Sequence, residues 1–184
     1  INPIARGALA IGITPNAVTF IGALGLVTSA LYFYPKGDFF IGTLVISFFA
    51  LSDLFDGAMA RISHKGVSDW GGFLDSTIDR ITDSAILVGL TIFLANENDP
   101  LTAVVIASLV FGSLVSYIRA KAESMQIPCS GGIAERTERL IVALTSIGLD
   151  GLGVPYALAI GIWLLLILAV VTVIQRIMIV KAAL

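Results

Sequence analysis

The chain has 184 residues, of which 57% are hydrophobic and 13% charged, with a net charge of −2 at pH 7. An average soluble domain carries about 25% charged residues. High hydrophobicity with little charge excludes an intrinsically disordered chain, and the charge balance gives no basic field for binding nucleic acid. The single cysteine, Cys129, excludes an internal disulfide framework. We therefore expect a polytopic membrane protein.

Apolar runs of bilayer-spanning length follow one another along the chain, because a transmembrane helix needs about 20 mainly apolar residues. Six such runs occupy residues 16–34, 39–61, 71–95, 100–122, 133–149 and 154–180, and the fifth is the shortest. Turn-forming residues such as Pro35 and Gly37 separate them. Residues 2–12 are too few to span a membrane, so we expect a short N-terminal interfacial helix there. Because the chain begins with Ile1 rather than Met, we also expect a segment to precede it.

The basic residues lie almost entirely on one side of this six-helix arrangement. With both termini on that side, it receives every one of the 11 lysines and arginines except Lys36. Cytoplasmic loops are enriched in Lys and Arg. We therefore expect a multi-pass protein of the cell (plasma) membrane. Its fold is expected to be all-α, with six transmembrane helices in a bundle and a cytoplasm-facing polar cavity, forming one domain over residues 1–184.

Acidic residues lie beside the second and third apolar runs. Asp53 and Asp56 are three residues apart, and Asp75 and Asp79 are four apart, so each pair shares one helix face. Ionised groups at membrane depth mark a functional site by default. The connection between the two runs is short, so we expect antiparallel neighbouring helices that bring the four carboxylates together. Oxygen ligands suit Mg²⁺ or Mn²⁺, and four carboxylates can hold two ions that clamp a phosphoryl group.

An alternative explains the acids as ion pairs at the membrane surface, with Arg61, Arg80 and Arg119 as partners. Small residues also flank the acids, and glycines such as Gly57 and Gly71 allow either a ligand or another helix to approach closely. Arg61 follows Gly57 by one helical turn, where it could bind phosphate.

A second group of cations lies near the ends of the last three apolar runs: Arg119, Lys121, Arg136, Arg139 and Arg176. Because arginine offers paired donors to phosphate, such a cluster favours a phosphorylated substrate. The alternative is that the cluster reflects the orientation bias together with Glu–Arg pairs within helices.

The stretch Asp53-x2-Asp56-Gly57-x2-Ala60-Arg61-x9-Gly71-x3-Asp75-x3-Asp79 resembles the signature of the CDP-alcohol phosphotransferases, with every fixed position present. The resemblance extends to Thr14-Pro15-Asn16 before the first run and to the six-helix layout. Members of this family cleave the pyrophosphate of a CDP-linked lipid, transfer the phosphatidyl group to an alcohol and release CMP.

The resemblance also implies roles for individual residues. Asp53, Asp56, Asp75 and Asp79 would bind metal, Asp79 would also be the catalytic general base, and Gly57, Ala60, Arg61 and Gly71 would line the CDP site. The implied cofactor is two Mg²⁺ ions, with Mn²⁺ as a substitute, and the implied assembly is a homodimer. Asp83 lies outside the signature and receives no role.

The basic segments resemble two branches of the family, which transfer to glycerol phosphate and to inositol phosphate. The run Gly131-Gly132-x2-Glu135-Arg136-x-Glu138-Arg139-Leu140 is most similar to the actinobacterial inositol phosphate branch. We therefore expect an enzyme that transfers the phosphatidyl group of CDP-diacylglycerol to 1L-myo-inositol 1-phosphate, giving phosphatidylinositol phosphate and CMP. Arg119, Lys121, Arg136, Arg139 and Arg176 would bind the acceptor phosphate.

Three other functions remain open at this point. The first is a phosphatidylglycerol phosphate synthase, with glycerol 3-phosphate as the acceptor. The second is a divalent-cation channel or carrier, since acidic rings select cations, although no polar path continues through residues 160–171. The third is an intramembrane prenyltransferase, whose acidic motifs are spaced differently.

Overall fold

The computed structural model describes residues 14–51, 59 and 68–184. Its α-helices are α1 (Pro15–Phe33), α2 (Phe39–Ala50), α3 (Asp69–Asn96), α4 (Leu101–Ser124), α5 (Arg136–Gly151) and α6 (Ala157–Ala183), and a 3-10 turn (Tyr34–Lys36) follows α1. Within those residues the fold contains no strand. Each helix falls in one of the six apolar runs. The expected interfacial helix at 2–12 and the end of the second run lie outside the described residues.

Local sequence signals set the starts of the helices. Thr14 caps α1, where its hydroxyl accepts a hydrogen bond from the backbone N–H of Ala17 (3.3 Å), and Pro15 occupies the first helical position. Ser68 caps α3 in the same way through the N–H of Gly71 (3.0 Å). These caps explain why the helices begin close to the predicted run boundaries.

Among the described residues, three helical segments are long and apolar enough to cross a membrane: Pro15–Lys36, Leu101–Ser124 and Ala157–Ala183. Their outer faces carry large exposed apolar side chains, such as Leu24, Val110 and Ile167, each more than half exposed. Exposed apolar surface of this extent is unfavourable in water and is suited to lipid. α3 has 28 residues, but its first half is rich in charge, and α5 has only 16 residues. The described chain thus has the all-helical, apolar character of a membrane protein, with three clear spans.

The helices pack through small residues. The backbone of Gly89 in α3 lies against the carbonyl of Ala30 in α1, and Gly161 in α6 lies against Ser146 in α5, with no room for a Cβ at either glycine. Small residues allow this close approach between membrane helices. An apolar core that includes Tyr34 contains buried residues from all six of these helices.

The helix contacts determine which elements meet at each end of the bundle. α1 packs on α2 and α3, α2 packs on α5, α3 packs on α4, and α6 packs on both α4 and α5. Phe39 at the start of α2 meets Phe93 near the end of α3, with ring centroids 4.8 Å apart. This contact fits the antiparallel arrangement expected for those two helices. We call the opposite end, where α3 and α5 begin and α4 and α6 finish, the polar end.

Candidate active site

A cavity of about 660 Å³ opens at the polar end between α3, α4, α5 and α6. We call it the site cavity. Its wall includes charged side chains from all four helices: Asp75, Asp79, Arg80, Arg119, Glu123, Glu135, Arg136, Arg139 and Arg176. The sequence between these residues is mainly apolar, so the helices bring their scattered charges to one place. The geometry therefore provides a polar chamber at one end of an apolar bundle.

The acidic part of the wall comes from α3. Asp75 and Asp79 are one helical turn apart and both line the site cavity. Asp75 is exposed, whereas the side chain of Asp79 is only 16% exposed. The four-residue spacing therefore places both carboxylates on one face, as expected.

Two arginines hold the Asp79 carboxylate. The Nη1 atom of Arg136 lies 2.9 Å from Asp79 Oδ1, and the Nη2 atom of Arg80 lies 3.7 Å from Oδ2. The same arginines reach Asp83, where Arg136 Nε is 3.2 Å from Oδ1 and Arg80 Nη2 is 3.5 Å from Oδ2. Two carboxylates and two guanidinium groups thus form a closed ring of alternating charge, which we call the charge ring.

Arg80 links the charge ring to α4 by donating a hydrogen bond from Nη1 to the hydroxyl of Ser116. Its Nε is buried and has no hydrogen-bond partner among the residues that the structure describes. On α4, Arg119 pairs with Glu123 one turn later, at 2.8 Å. The ion-pair alternative for the acids is therefore realised by Arg80 and Asp79, and the alternative of Glu–Arg pairs within helices is realised by Arg119 and Glu123, beside a cavity large enough for a substrate.

The deepest cations of the wall are Arg139 and Arg176, which are 7% and 3% exposed. Arg139 donates from Nη1 to the carbonyl of Ala134 (3.0 Å). Arg176 donates from Nε to the carbonyl of Gly131 (3.0 Å) and from Nη1 to that of Val115 (2.6 Å). A guanidinium has five N–H donors, so each keeps donors beyond these backbone contacts.

The segment between α4 and α5 is fixed to α6 by side-chain hydrogen bonds. Gln175 Oε1 accepts from the N–H of Ile133 (3.0 Å), and Thr172 Oγ1 accepts from that of Ala134 (3.3 Å). Gly132 has φ +125° and lies against Thr172, where a Cβ would clash. These contacts determine where α5 begins, and hence where Arg136 meets Asp79.

Of the remaining predicted site residues, two are described by the structure and five are not. Gly71 lies in the first turn of α3, and a Cβ built there would be 3.6 Å from Asn16 Oδ1, so the start of α1 adjoins the start of α3. Lys121 is exposed and is not among the described residues of the cavity wall, because it lies two residues beyond Arg119 on another face of α4. Five predicted residues lie outside the described residues: Asp53, Asp56, Gly57, Ala60 and Arg61.

The carboxylates of α3 have the chemistry of a hard-metal site. Oxygen ligands of this kind suit Mg²⁺ and Mn²⁺. Within residues 14–51, 59 and 68–184, no group of three or more metal-ligating side chains is assembled. Asp75 and Asp79 provide two of the four expected ligands, and the other two lie in the undescribed stretch. The two carboxylates fit a divalent ion as part of a larger set.

Sequence reasoning left several residues at the polar end without a role, and Asp83 is the most informative. It follows Asp79 by four residues, so the spacing argument that pairs Asp75 with Asp79 also puts Asp83 on the same face. Its pairing with Arg136 joins residues far apart in sequence, and only packing reveals it. Ser116 is a similar case, since its contact with Arg80 has no sequence signal.

Comparison with known proteins gives consistent matches. Residues 12–182 match the CDP-alcohol phosphatidyltransferase family. The phosphatidylinositol phosphate synthase of Streptomyces avermitilis is 41% identical over 98% of this chain and 78% of its own length. The crystal structure of the Mycobacterium tuberculosis phosphatidylinositol phosphate synthase with CDP-DAG bound superposes with a TM-score of 0.93 at 42% identity, covering 97% of this chain and 92% of that one. A second structure of the same enzyme, in complex with manganese and citrate, also gives a TM-score of 0.93, at 41% identity, covering 98% of this chain and 89% of that one.

Proposed function

The chain belongs to the CDP-alcohol phosphatidyltransferase family, and on that basis we propose that it transfers the phosphatidyl group of CDP-diacylglycerol to 1L-myo-inositol 1-phosphate. The products are phosphatidylinositol phosphate and CMP. The observation that carries this proposal is the site cavity, where the carboxylates of α3 face the guanidinium groups of α4, α5 and α6. The names of the relatives support inositol phosphate as the acceptor.

The reaction forms one bond and breaks one. An acceptor hydroxyl oxygen bonds to the phosphorus that carries diacylglycerol, and the bridging P–O bond of the diphosphate breaks, so that CMP leaves with that oxygen. The hydroxyl proton passes to Asp79, the general base. Asp79 suits this role because it lines the cavity and is fixed by Arg136 and Arg80, and a positioned base contributes roughly 10²–10⁴-fold to a rate.

Asp53, Asp56, Asp75 and Asp79 would hold two Mg²⁺ or Mn²⁺ ions. Bound there, the ions would neutralise charge on the diphosphate and on the leaving CMP. The donor chemistry of Asp75 and Asp79 supports this assignment, as does the manganese complex of the mycobacterial enzyme. Gly57, Ala60, Arg61 and Gly71 would line the adjoining CDP site.

The acceptor phosphate would bind among Arg119, Arg136, Arg139 and Arg176, with Lys121 on the neighbouring face of α4. Four guanidinium groups around one cavity suit a phosphate monoester, because arginine pairs its donors with phosphate oxygens. Arg139 and Arg176 are also held by backbone carbonyls, so their charges are oriented before the acceptor arrives.

The wider arrangement follows from the same proposal. The six apolar runs would form a six-helix transmembrane bundle preceded by a short interfacial helix. The protein would lie in the cell (plasma) membrane with its polar end facing the cytoplasm, where a water-soluble acceptor is available. We also propose that the protein is a homodimer.

The experiment is CMP release from CDP-diacylglycerol in proteoliposomes containing Mg²⁺. Inositol 1-phosphate, glycerol 3-phosphate, serine and free inositol are supplied separately as acceptors. We expect release only with inositol 1-phosphate, and loss of release when the metal is chelated. Release with glycerol 3-phosphate alone would move the assignment to phosphatidylglycerol phosphate synthesis. Metal flux without CMP release would indicate the channel or carrier.

The same assay tests the general base. Asp79→Asn keeps the size of the side chain but replaces a carboxylate oxygen with an NH₂ donor and removes the proton acceptor, so we expect CMP release to fall by roughly 10²-fold or more. The matched control is Asp69→Asn, at an exposed aspartate in the first turn of the same helix. Full turnover in Asp79→Asn would exclude Asp79 as the base.

A further inference from the structure

Asp83 is the member of the charge ring that the proposed function leaves unused. It is not among the described residues that line the site cavity. It faces instead a separate inner cavity of about 50 Å³, whose wall it shares with Arg80 and Arg136. Asp83 can therefore act on the reaction through the two arginines that it contacts.

The contacts of Asp83 are divided between its two oxygens. Oδ1 accepts from Arg136 Nε at 3.2 Å, and Oδ2 lies 3.5 Å from Arg80 Nη2. Each arginine also contacts Asp79, through Oδ1 and Oδ2 respectively. Asp79 and Asp83 therefore contact the same two guanidinium groups. Asp79 does so from the site cavity, and Asp83 does so from the inner cavity.

The proposed reaction treats these two carboxylates differently. Asp79 would contact metal and the acceptor hydroxyl, and both would compete with its arginine partners for the carboxylate oxygens. Asp83 is not among the described residues of the site cavity and contacts Arg136 through Nε, whereas Asp79 contacts Nη1 of the same guanidinium group. A partly buried guanidinium without a carboxylate partner would be costly, because an unpaired buried charge loses its hydration.

We propose that Asp83 is a positioning residue that anchors Arg136, and with it Arg80, at the site cavity, so that Arg136 can transfer its donors from Asp79 to the acceptor phosphate. This inference rests on the proposed function. It assigns Asp83 to acceptor binding rather than to bond making.

The test compares Asp83→Asn, Arg136→Gln and the double variant in the CMP-release assay, varying each substrate in turn. Asp83→Asn is expected to raise KM for inositol 1-phosphate about tenfold, to change kcat by less than about threefold, and to leave KM for CDP-diacylglycerol unchanged. Asp83→Glu, which restores a carboxylate, is expected to recover part of the loss. Asp69→Asn on the same helix is the control with wild-type constants.

A double-mutant cycle separates positioning from general damage. If Asp83 acts through Arg136, the double variant should have the same acceptor KM as Arg136→Gln alone. Independent, multiplicative effects would overturn the proposal, as would equal changes in kcat and both KM values. An unchanged acceptor KM in Asp83→Asn would also overturn it.

A binding measurement distinguishes failure of this inference from failure of the proposed function. Inositol 1-phosphate should raise the unfolding temperature of the wild type in detergent, and Asp83→Asn should reduce that shift. A wild type that neither releases CMP with inositol 1-phosphate nor is stabilised by it would overturn both proposals. An active wild type whose stabilisation is unchanged in Asp83→Asn would overturn only the role of Asp83.

Discussion

The arginines of the site cavity differ in the contacts that they make with the rest of the protein. Arg119 is half-exposed and pairs with Glu123 on its own helix, a contact that contributes little to stability when it faces solvent. Arg176 is buried and joins the backbones of Gly131 and Val115, which belong to two other segments of the chain. Two residues with the same charge and the same proposed ligand therefore make unequal contributions to the fold.

This difference predicts different outcomes for the same substitution. Arg119→Gln is expected to raise KM for inositol 1-phosphate and leave the unfolding temperature unchanged. Arg176→Gln is expected to raise that KM and also to lower the unfolding temperature, because two backbone carbonyls lose charged donors. Both quantities can be measured on detergent-purified protein, with wild type as reference. An unchanged KM in Arg119→Gln would remove Arg119 from the acceptor site.

Among the elements, the connection between α4 and α5 depends most on its neighbours. It buries few apolar side chains of its own: Ala134, and Ile127 and Cys129, which pack with Ile179 of α6. Its course is otherwise set by hydrogen bonds to Thr172, Gln175 and Arg176 of α6 and to Arg139 of α5. The position of Arg136 at the head of α5 therefore depends on α6.

Thr172→Val tests this dependence with almost no change in volume. Valine cannot accept the hydrogen bond from the N–H of Ala134, and leaving that group unpaired in the interior should cost about 1–3 kcal/mol. Limited proteolysis is expected to cut the connection faster, and thermal unfolding to occur at a lower temperature. Thr28→Val is the matched control, because the Thr28 hydroxyl bonds only within its own helix in the described structure. Equal cleavage rates in the two variants would contradict the prediction.

The sequence predicted where the described helices lie because apolar runs of spanning length and turn residues such as Pro35 and Gly37 are local signals. It also predicted that Asp75 and Asp79 share a face, since helical spacing is a local property. It did not predict the charge ring, which requires α3 and the start of α5 to meet, nor the orientation of Lys121 away from the cavity. Those features depend on how helices rotate against one another, which a single sequence leaves open. Asp53 and Asp56 as metal ligands stay predictions.

At the scale of the whole molecule, charge is separated along the bundle. The site cavity and its arginines lie at the polar end, and the opposite end carries Lys36, which lies over the ring of Tyr32 at 3.4 Å. Such an asymmetry orients a membrane protein with its cation-rich end in the cytoplasm.

One cysteine introduced at either end of the bundle tests this orientation in bacterial cells. Glu97 and Ser124 are exposed at opposite ends of the described helices. With a membrane-impermeant thiol reagent, Glu97→Cys should be labelled in intact cells and Ser124→Cys only after the membrane is inverted or opened. The wild type is the control, because its cysteine, Cys129, is 1% exposed. Labelling of both variants from the same side would contradict the arrangement.

The length of α3 has a consequence for the lipid environment that the protein needs. Its 28 residues extend about 42 Å, against a hydrocarbon core of about 30 Å. In the proposed six-helix bundle α3 would span the bilayer, and Asp79, about 25 Å along the helix from Asn96, would lie near the depth where headgroups begin. In a thicker bilayer the carboxylates of α3 would lie deeper in the membrane than the diphosphate of the lipid substrate. In a thinner bilayer they would lie further out than the diphosphate. Catalysis should therefore respond to acyl-chain length through hydrophobic mismatch, independently of how well those chains are recognised.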